Sequence, residues 1–273
     1  MIAALIDNGS LEPAAHRNLR ALAAELSKRA RARVAAVSWK HSDRIQPEAL
    51  GGEGAWTLAP WIRAQVESGE RDFVFVPFFV SPQGAIGSAL RRDLDALRDE
   101  LGGFRVTFSP GLAMQGAIPR IAAARIRDTI SAHALRQPAV IVVDHGGPSP
   151  VSGQIRDTLT ASIAQELGGE IGRIIATSME GADYPHNHPL FADALTMRDF
   201  DRGDVVIAPL FLAPGRHAGP RGDLAQIAIA AEDRLGTAAL RCHFADLIGT
   251  HPDAVRTLAD SLTFTLSTLH VAA

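Results

Sequence analysis

The chain alternates short hydrophobic runs with longer amphipathic stretches. Phe73–Val80 and Val205–Leu212 are nearly unbroken apolar runs bounded by Asp and Pro, the pattern of central strands in a parallel sheet covered on both faces. Leu19, Leu22 and Leu26, and again Ile155, Leu159, Ile163 and Leu167, fall at helical spacing and predict amphipathic helices. Further strands are predicted at Arg105–Phe108 and Leu240–Phe244, with closing helices at Ile118–Ile130 and Ala254–Leu266. Strands alternating with helices predict open, doubly wound α/β layers.

The pattern also repeats. Ala3–Ser10 matches Val140–Gly147, both hydrophobic runs that break at a D-x-G turn before a helix. Ala36–Asp43 matches Ala176–Asp183, and Asp72–Pro82 matches Asp204–Pro214. The offsets are 144 − 7 = 137, 183 − 43 = 140 and 209 − 77 = 132. Three matches in one order with a small drift imply duplication. Two tandem α/β domains with parallel sheets are expected, an N-terminal one over 1–134 and a C-terminal one over 135–273. The boundary falls near Ala132–Gln137, where no low-complexity linker intervenes.

Composition narrows the function. With 47% hydrophobic residues, 21% charged and a net charge of −3, there is no electrostatic case for nucleic acid or an acidic membrane surface. The apolar runs are too short to span a bilayer, and no basic leader precedes the first of them, so a cytoplasmic protein is expected. Cys242 is the one cysteine, which rules out an intrachain disulfide, a zinc ribbon or an iron–sulfur cluster. Ten histidines leave imidazole as the plentiful nitrogen ligand.

In open parallel sheets ligands bind at the carboxyl ends of the strands. In the C-terminal copy His145 ends the first strand, Glu180 ends the second, and His217 follows the third in a Gly/Pro-rich loop. Each alone reads as readily as a plain strand or helix cap; three at neighbouring strand ends read as one site. The N-terminal copy has Asn8, Lys40 and Ala85 at the matching places. No G-x-G-x-x-G follows the first strand, and there is neither a Walker motif nor a G-x-S-x-G elbow, so nucleotide use and serine hydrolase chemistry are disfavoured.

D-H-G-G at Asp144–Gly147, S-M-E at Ser178–Glu180 and P-L-F-L-A-P-G-R-H-A-G-P at Pro209–Pro220 resemble the sirohydrochlorin chelatases of the CbiX/SirB type. The resemblance spans both halves and is strongest over 138–250. It implies two chelatase-like domains facing each other across a cleft, and ATP-independent insertion of Co2+ or Fe2+ into a tetrapyrrole for cobalamin or siroheme. It further implies that His145 and His217 are metal ligands or proton acceptors, with Glu180 as their partner. N-G-S at Asn8–Ser10 replaces the family's H-G-S, so one active centre per chain is expected, in the C-terminal copy. The metal is then a substrate, and no permanently bound cofactor is expected.

The residue types suit that chemistry. Neutral imidazole binds Fe2+ and Co2+ while leaving coordination positions open, and it accepts protons near neutral pH. Arg216 and Arg221, and Lys40 from the other domain, are candidates for the substrate's carboxylates; each also reads as an ordinary surface charge. Gly146, Gly147, Gly215, Gly219 and Gly222 would admit a flat ligand close to the backbone, although some are plain turn glycines. His186 and His188 read as members of a polar loop, with metal relay as the alternative, and His243 as a satisfied near-core residue. The other function class is a non-catalytic metal or tetrapyrrole carrier on the same scaffold. A monomer or weak dimer is expected.

Overall fold

The computed structural model describes residues 1–81, 88–236 and 239–271. The first half of the chain runs β1 (Ile2–Asp7), α1 (Pro13–Ala30), β2 (Val34–Ser38), β3 (Trp56–Thr57), α2 (Leu58–Glu67), β4 (Asp72–Pro77), α3 (Leu90–Glu100), β5 (Arg105–Phe108) and α4 (Ala117–Ala132). The second runs β6 (Ala139–Asp144), α5 (Pro150–Leu167), β7 (Arg173–Ser178), α6 (Phe191–Ala194), β8 (Gly203–Pro209), α7 (Asp223–Leu235), β9 (Leu240–Phe244) and α8 (Pro252–Val271). No helix among the described residues is long and apolar enough to cross a membrane.

The chain divides into two compact units, Met1–Ala117 with Pro252–Ala273, and Ile118–His251. The first holds a parallel sheet in the order β3-β2-β1-β4-β5. Ile2, Ala4, Ile6, Phe73 and Phe75 pack on one face against Trp61 and Ile62 of α2 and Leu90, Leu94 and Leu97 of α3. The alternate residues Ala3, Leu5, Val74 and Val76 are buried as well. Both faces are therefore covered, which is why these strands read as unbroken apolar runs. The second unit holds a parallel sheet in the order β7-β6-β8-β9. There Ile141, Val143, Val205 and Ile207 pack against α6 and α7, while Val140, Val142, Val206 and Ala208 are buried between them in sequence.

The compact units are not the two consecutive stretches 1–134 and 135–273, because the last helix of each stretch packs in the other unit. In the first unit α8 lies along α1 and reaches β4, burying Ala254, Leu258 and Leu262. In the second, Arg125 of α4 pairs with Asp246 and Thr250, and Arg127 with Glu170. An apolar stripe on a helix specifies that it will be buried, but not which of two similar sheets receives it.

The duplication is visible bond by bond. Trp39 N–H donates to Asp7 O and Met179 N–H to Asp144 O, both at 2.8 Å. Phe78 to Ile6 and Leu210 to Val143 form a second such pair, and Ser109 to Phe75 and Ala245 to Ile207 a third, again at 2.8 Å. The Ser38–Thr57 pairing recurs as a bridge between Ser178 and Leu190. Lys40 N–H donates to Asn8 O as Glu180 N–H donates to His145 O, so Asn8 and Lys40 hold the places of His145 and Glu180. Ala85, matched in sequence to His217, lies outside the described residues.

Candidate functional site

The site begins where β6 and β7 stop pairing as strands. Their register runs to Asp144 and Ser178, and Glu180 N–H continues it with a 3.1 Å bond to His145 O. Gly146 makes this approach possible. Its φ is 83°, and a Cβ there would stand 2.1 Å from Glu180 O, which no other residue tolerates. The side chains of His145 and Glu180 then emerge together, with Nε2 and Oε1 3.5 Å apart and both residues exposed. His145 Nδ1 lies 3.0 Å from Gly146 O. A carbonyl only accepts, so this bond places the proton on Nδ1 and turns the Nε2 lone pair toward Glu180. Two acceptors face one another across that gap, and a cation or a proton between them relieves the repulsion.

His217 arrives from the loop between β8 and α7. Gly215 N–H bonds Ala218 O at 2.9 Å, and the N–H groups of Asp223 and Leu224 bond Arg216 O and His217 O at 3.1 and 3.2 Å. The loop carbonyls thus satisfy the N-terminal donors of α7. Gly222 is needed for this fold-back, because a Cβ would lie 2.7 Å from His217 O. Asp223 accepts from His217 Nδ1 at 2.7 Å, which fixes the tautomer and leaves Nε2 free. The rings of His145 and His217 meet edge to face, 4.8 Å between centroids.

Beneath these loops lies a buried charged network. Asp144 accepts from Ser178 Oγ at 2.6 Å, and Ser178 Oγ in turn accepts from Arg156 at 2.6 Å. Arg156 is 3% exposed and also bonds Asp157 and His186 O. Burial raises the Asp144 carboxyl above the usual range, while the Ser178 hydrogen bond and the Arg156 charge oppose the rise.

Of the predicted residues, His145, Glu180, His217 and Gly146 come together. Gly147 and Gly215 border open space, so neither needs to be glycine for packing. Arg216 is exposed and sits 3.6 Å from Asp223. Arg221 is exposed, and its side chain has no partner among the described residues. Lys40 is paired with Asp93 at 3.5 Å in the first unit. His186 and His188 spend Nε2 on Gly147 O and Ala182 O, at 2.8 and 2.9 Å. Among the described residues, no three His, Cys, Asp or Glu side chains are grouped to hold a metal ion; the candidates meet in pairs.

Asp223 and Arg156 were not singled out in the sequence. An acid in the first turn of a helix just after a G-x-H histidine was the available signal for Asp223. Nothing comparable marked Arg156, one arginine among several on an amphipathic helix. His243 bonds Asp204 at 2.9 Å and its ring lies 4.4 Å from that of His133, a contact the sequence spacing did not suggest. Asp204 is already held by Arg241, which with His243 lowers its carboxyl to about 2.

No family model matches the sequence, and no curated protein sequence matches it. The fold does match solved structures. The sirohydrochlorin chelatase SirB from Bacillus subtilis subspecies spizizenii, in complex with cobalt, is similar with a TM-score of 0.68 at 12% identity, over 97% of this chain and 95% of that one. SirB from Bacillus subtilis with Fe3+ is similar with a TM-score of 0.66 at 13% identity, over 97% and 96%. CbiX, described as the terminal enzyme for biosynthesis of siroheme in denitrifying bacteria, gives 0.60 at 17% identity, over 96% and 97%. The chain therefore has the fold of these chelatases along essentially its whole length.

Proposed function

We propose that this protein is an ATP-independent metal chelatase that inserts Co2+ or Fe2+ into sirohydrochlorin or a related tetrapyrrole, in cobalamin or siroheme synthesis. The active centre is that of the second unit, with His145, His217 and Glu180 as metal-handling groups; the strand ends of the first unit form a degenerate copy. One observation carries this reading. The His145 and His217 rings touch, and Gly146 O and Asp223 occupy both Nδ1 atoms, leaving the Nε2 lone pairs available, that of His145 facing the exposed Glu180 carboxylate.

The metal is a substrate here and enters as a divalent cation. Two neutral imidazoles and a carboxylate hold such an ion without closing its coordination sphere, so ring nitrogens can replace water on it. Insertion releases two pyrrole N–H protons; as the ion passes from the imidazoles to the ring nitrogens, the lone pairs freed on His145 Nε2 and His217 Nε2 take up those protons. Glu180 and Asp223 stabilise the imidazolium that forms. The exposure of His145 and Glu180 suits an ion that must arrive and leave. Arg221 and Arg216 are proposed to meet carboxylates of the tetrapyrrole, Arg221 being the one without an internal partner. The fold match to cobalt- and iron-bound SirB and to CbiX supports this reading.

The test is anaerobic insertion of Co2+ and Fe2+ into sirohydrochlorin, followed by absorbance. The wild type is expected to exceed the uncatalysed rate and His145→Ala to fall back to it. A wild type that binds metal or tetrapyrrole without accelerating insertion would instead be a carrier.

A further inference from the structure

We infer that Asn187 is a positioning residue of this site, clamping the loop that bears His145 to the loop that bears Glu180 and so setting the separation of those side chains. The inference rests on the chelatase reading above.

Asn187 is 1% exposed, and its amide is fully engaged. Nδ2 donates to Gly147 O at 3.1 Å and to Gly181 O at 3.0 Å, while Oδ1 accepts from Gly147 N–H at 3.4 Å. Gly147 lies two residues after His145 and Gly181 directly follows Glu180, so one side chain ties both. Gly181 accommodates it: its φ is 90°, and a Cβ would lie 2.2 Å from Asn187 Nδ2. The turn bearing Asn187 is itself anchored. His186 Nε2 donates to Gly147 O at 2.8 Å, Arg156 donates to His186 O at 3.0 Å, and Gly153 of α5 lets that turn come close.

The first unit shows what is particular about Asn187. There Ser42 Oγ lies 3.1 Å from both N and O of Ser10, the residue matching Gly147. The clamp on the first loop thus exists in both copies. A hydroxyl has one proton, however, and Ser42 Oγ also lies 2.9 Å from Ser38 Oγ; His41 O, which matches Gly181, accepts from the Arg44 N–H as Gly181 O does from Tyr184 N–H, but Ser42 Oγ does not reach it. His41 keeps the left-handed turn, with φ of 73°, without an amide against it. Among the described residues, the second copy alone uses a side chain with two protons to bind both loops, and those are the loops that carry His145 and Glu180.

Co2+ titration of the full-length protein, read by absorbance, tests this. Asn187→Ala is expected to weaken Co2+ binding about 10- to 100-fold, as loss of partners behind metal ligands does. Ser42→Ala, the equivalent lesion in the other copy, is expected to leave Co2+ binding within about twofold, since the Ser42 hydroxyl bonds Ser10 and Ser38 of the first unit and, among the described residues, shares no partner with His145 or Glu180. In a Glu180→Ala background the Asn187→Ala loss should shrink to under about threefold, because residues acting through one another are non-additive. A folded Asn187→Ala protein that binds Co2+ like the wild type, or loses equally in both backgrounds, overturns the inference. If Asn187→Ala does not fold, Asn187→Ser takes its place, and rapid exchange of the Gly147 amide in the wild type would also overturn it. Insertion that is normal in wild type and unchanged in Asn187→Ala removes this inference alone. A wild type that neither binds Co2+ nor inserts it removes the chelatase reading and this inference with it.

Discussion

In the second unit the carboxyl of Asp144 lies under the strand ends within reach of a buried guanidinium, that of Arg156, through Ser178. In the first unit the matching Asp7 has no such cation among the described residues. Burial pushes its carboxyl up to about 6, and Oδ1 has no hydrogen-bond partner. The covering helix α1 instead presents His16, whose Nδ1 lies 3.5 Å from Ser38 Oγ. Burial, with the charge of Arg20 adding to it, pushes that imidazole down to about 4, and Nε2 is likewise unpartnered. One scaffold thus keeps a strand-end acid, a serine and a basic side chain on the helix, the base being a guanidinium in one copy and an imidazole pushed toward its neutral form in the other. The guanidinium version lies beneath the loops that carry His145, Glu180 and His217, and the imidazole version beneath Asn8 and Lys40. The copy that has Asn8 and Lys40 in place of His145 and Glu180 also has His16 rather than a buried guanidinium beside its strand-end serine.

The largest way to break this contrast is Arg156→Met. It strands Asp144 without its cation and should cost about 3–5 kcal/mol, the usual effect of removing one partner from a buried charged pair. Urea denaturation measures it. If Arg156→Met costs less than His16→Ala does, the buried network of the second unit has been misjudged.

The pH dependence comes next. Folded Asp7 holds its proton more tightly than the unfolded chain does, so its contribution to stability falls as pH rises from 3.8 to about 6. Folded His16 holds its proton less tightly, so its contribution rises as pH rises from about 4 to 6.5. Each swing is about 3 kcal/mol at full effect, and the two oppose one another over nearly the same window. Asp7→Asn removes the first. The variant should be more stable than wild type above pH 6.5, equal to it near pH 4, and should weaken steadily on acidification between. Thermal melts across that range check the sign; a variant less stable than wild type at pH 7.5 contradicts it.

Asp223→Asn is the finest probe. The packing is preserved, but His217 loses the anion that fixes its tautomer, and metal affinity should fall about 10- to 100-fold with little change in stability. Co2+ titration beside a thermal melt separates the two effects. Unchanged affinity would make Asp223 a helix-terminus acid and nothing more.

The strands were legible because burial on both faces leaves an unbroken apolar signature, as in Phe73–Val80 and Val205–Leu212. Arg105–Phe108 and Leu240–Phe244 form as strands with the bounds the pattern predicted. The exchange of α4 and α8 was not legible, since their amphipathic stripes would suit either sheet. Placing His145, Glu180 and His217 at strand ends followed from topology, and the structure brings His145 against each of the other two. Asp223, Arg156 and Asn187 were harder to see. Their importance lies in hydrogen bonds to backbone carbonyls, a serine or a ring nitrogen brought close only by folding. Asn187 in particular sits in a stretch that reads as a polar loop, and its burial depends on Gly147 and Gly181 closing around it.

The central claim is that one copy is active and the other degenerate, and anaerobic Co2+ insertion into sirohydrochlorin by matched variants tests it most directly. Wild type should accelerate insertion, and His145→Ala should lose about 100-fold or more, the scale of a lost acid–base group. Asn8→Ala, the same position in the first unit, should keep the wild-type rate. No acceleration by wild type, or an equal loss in Asn8→Ala and His145→Ala, would contradict the account.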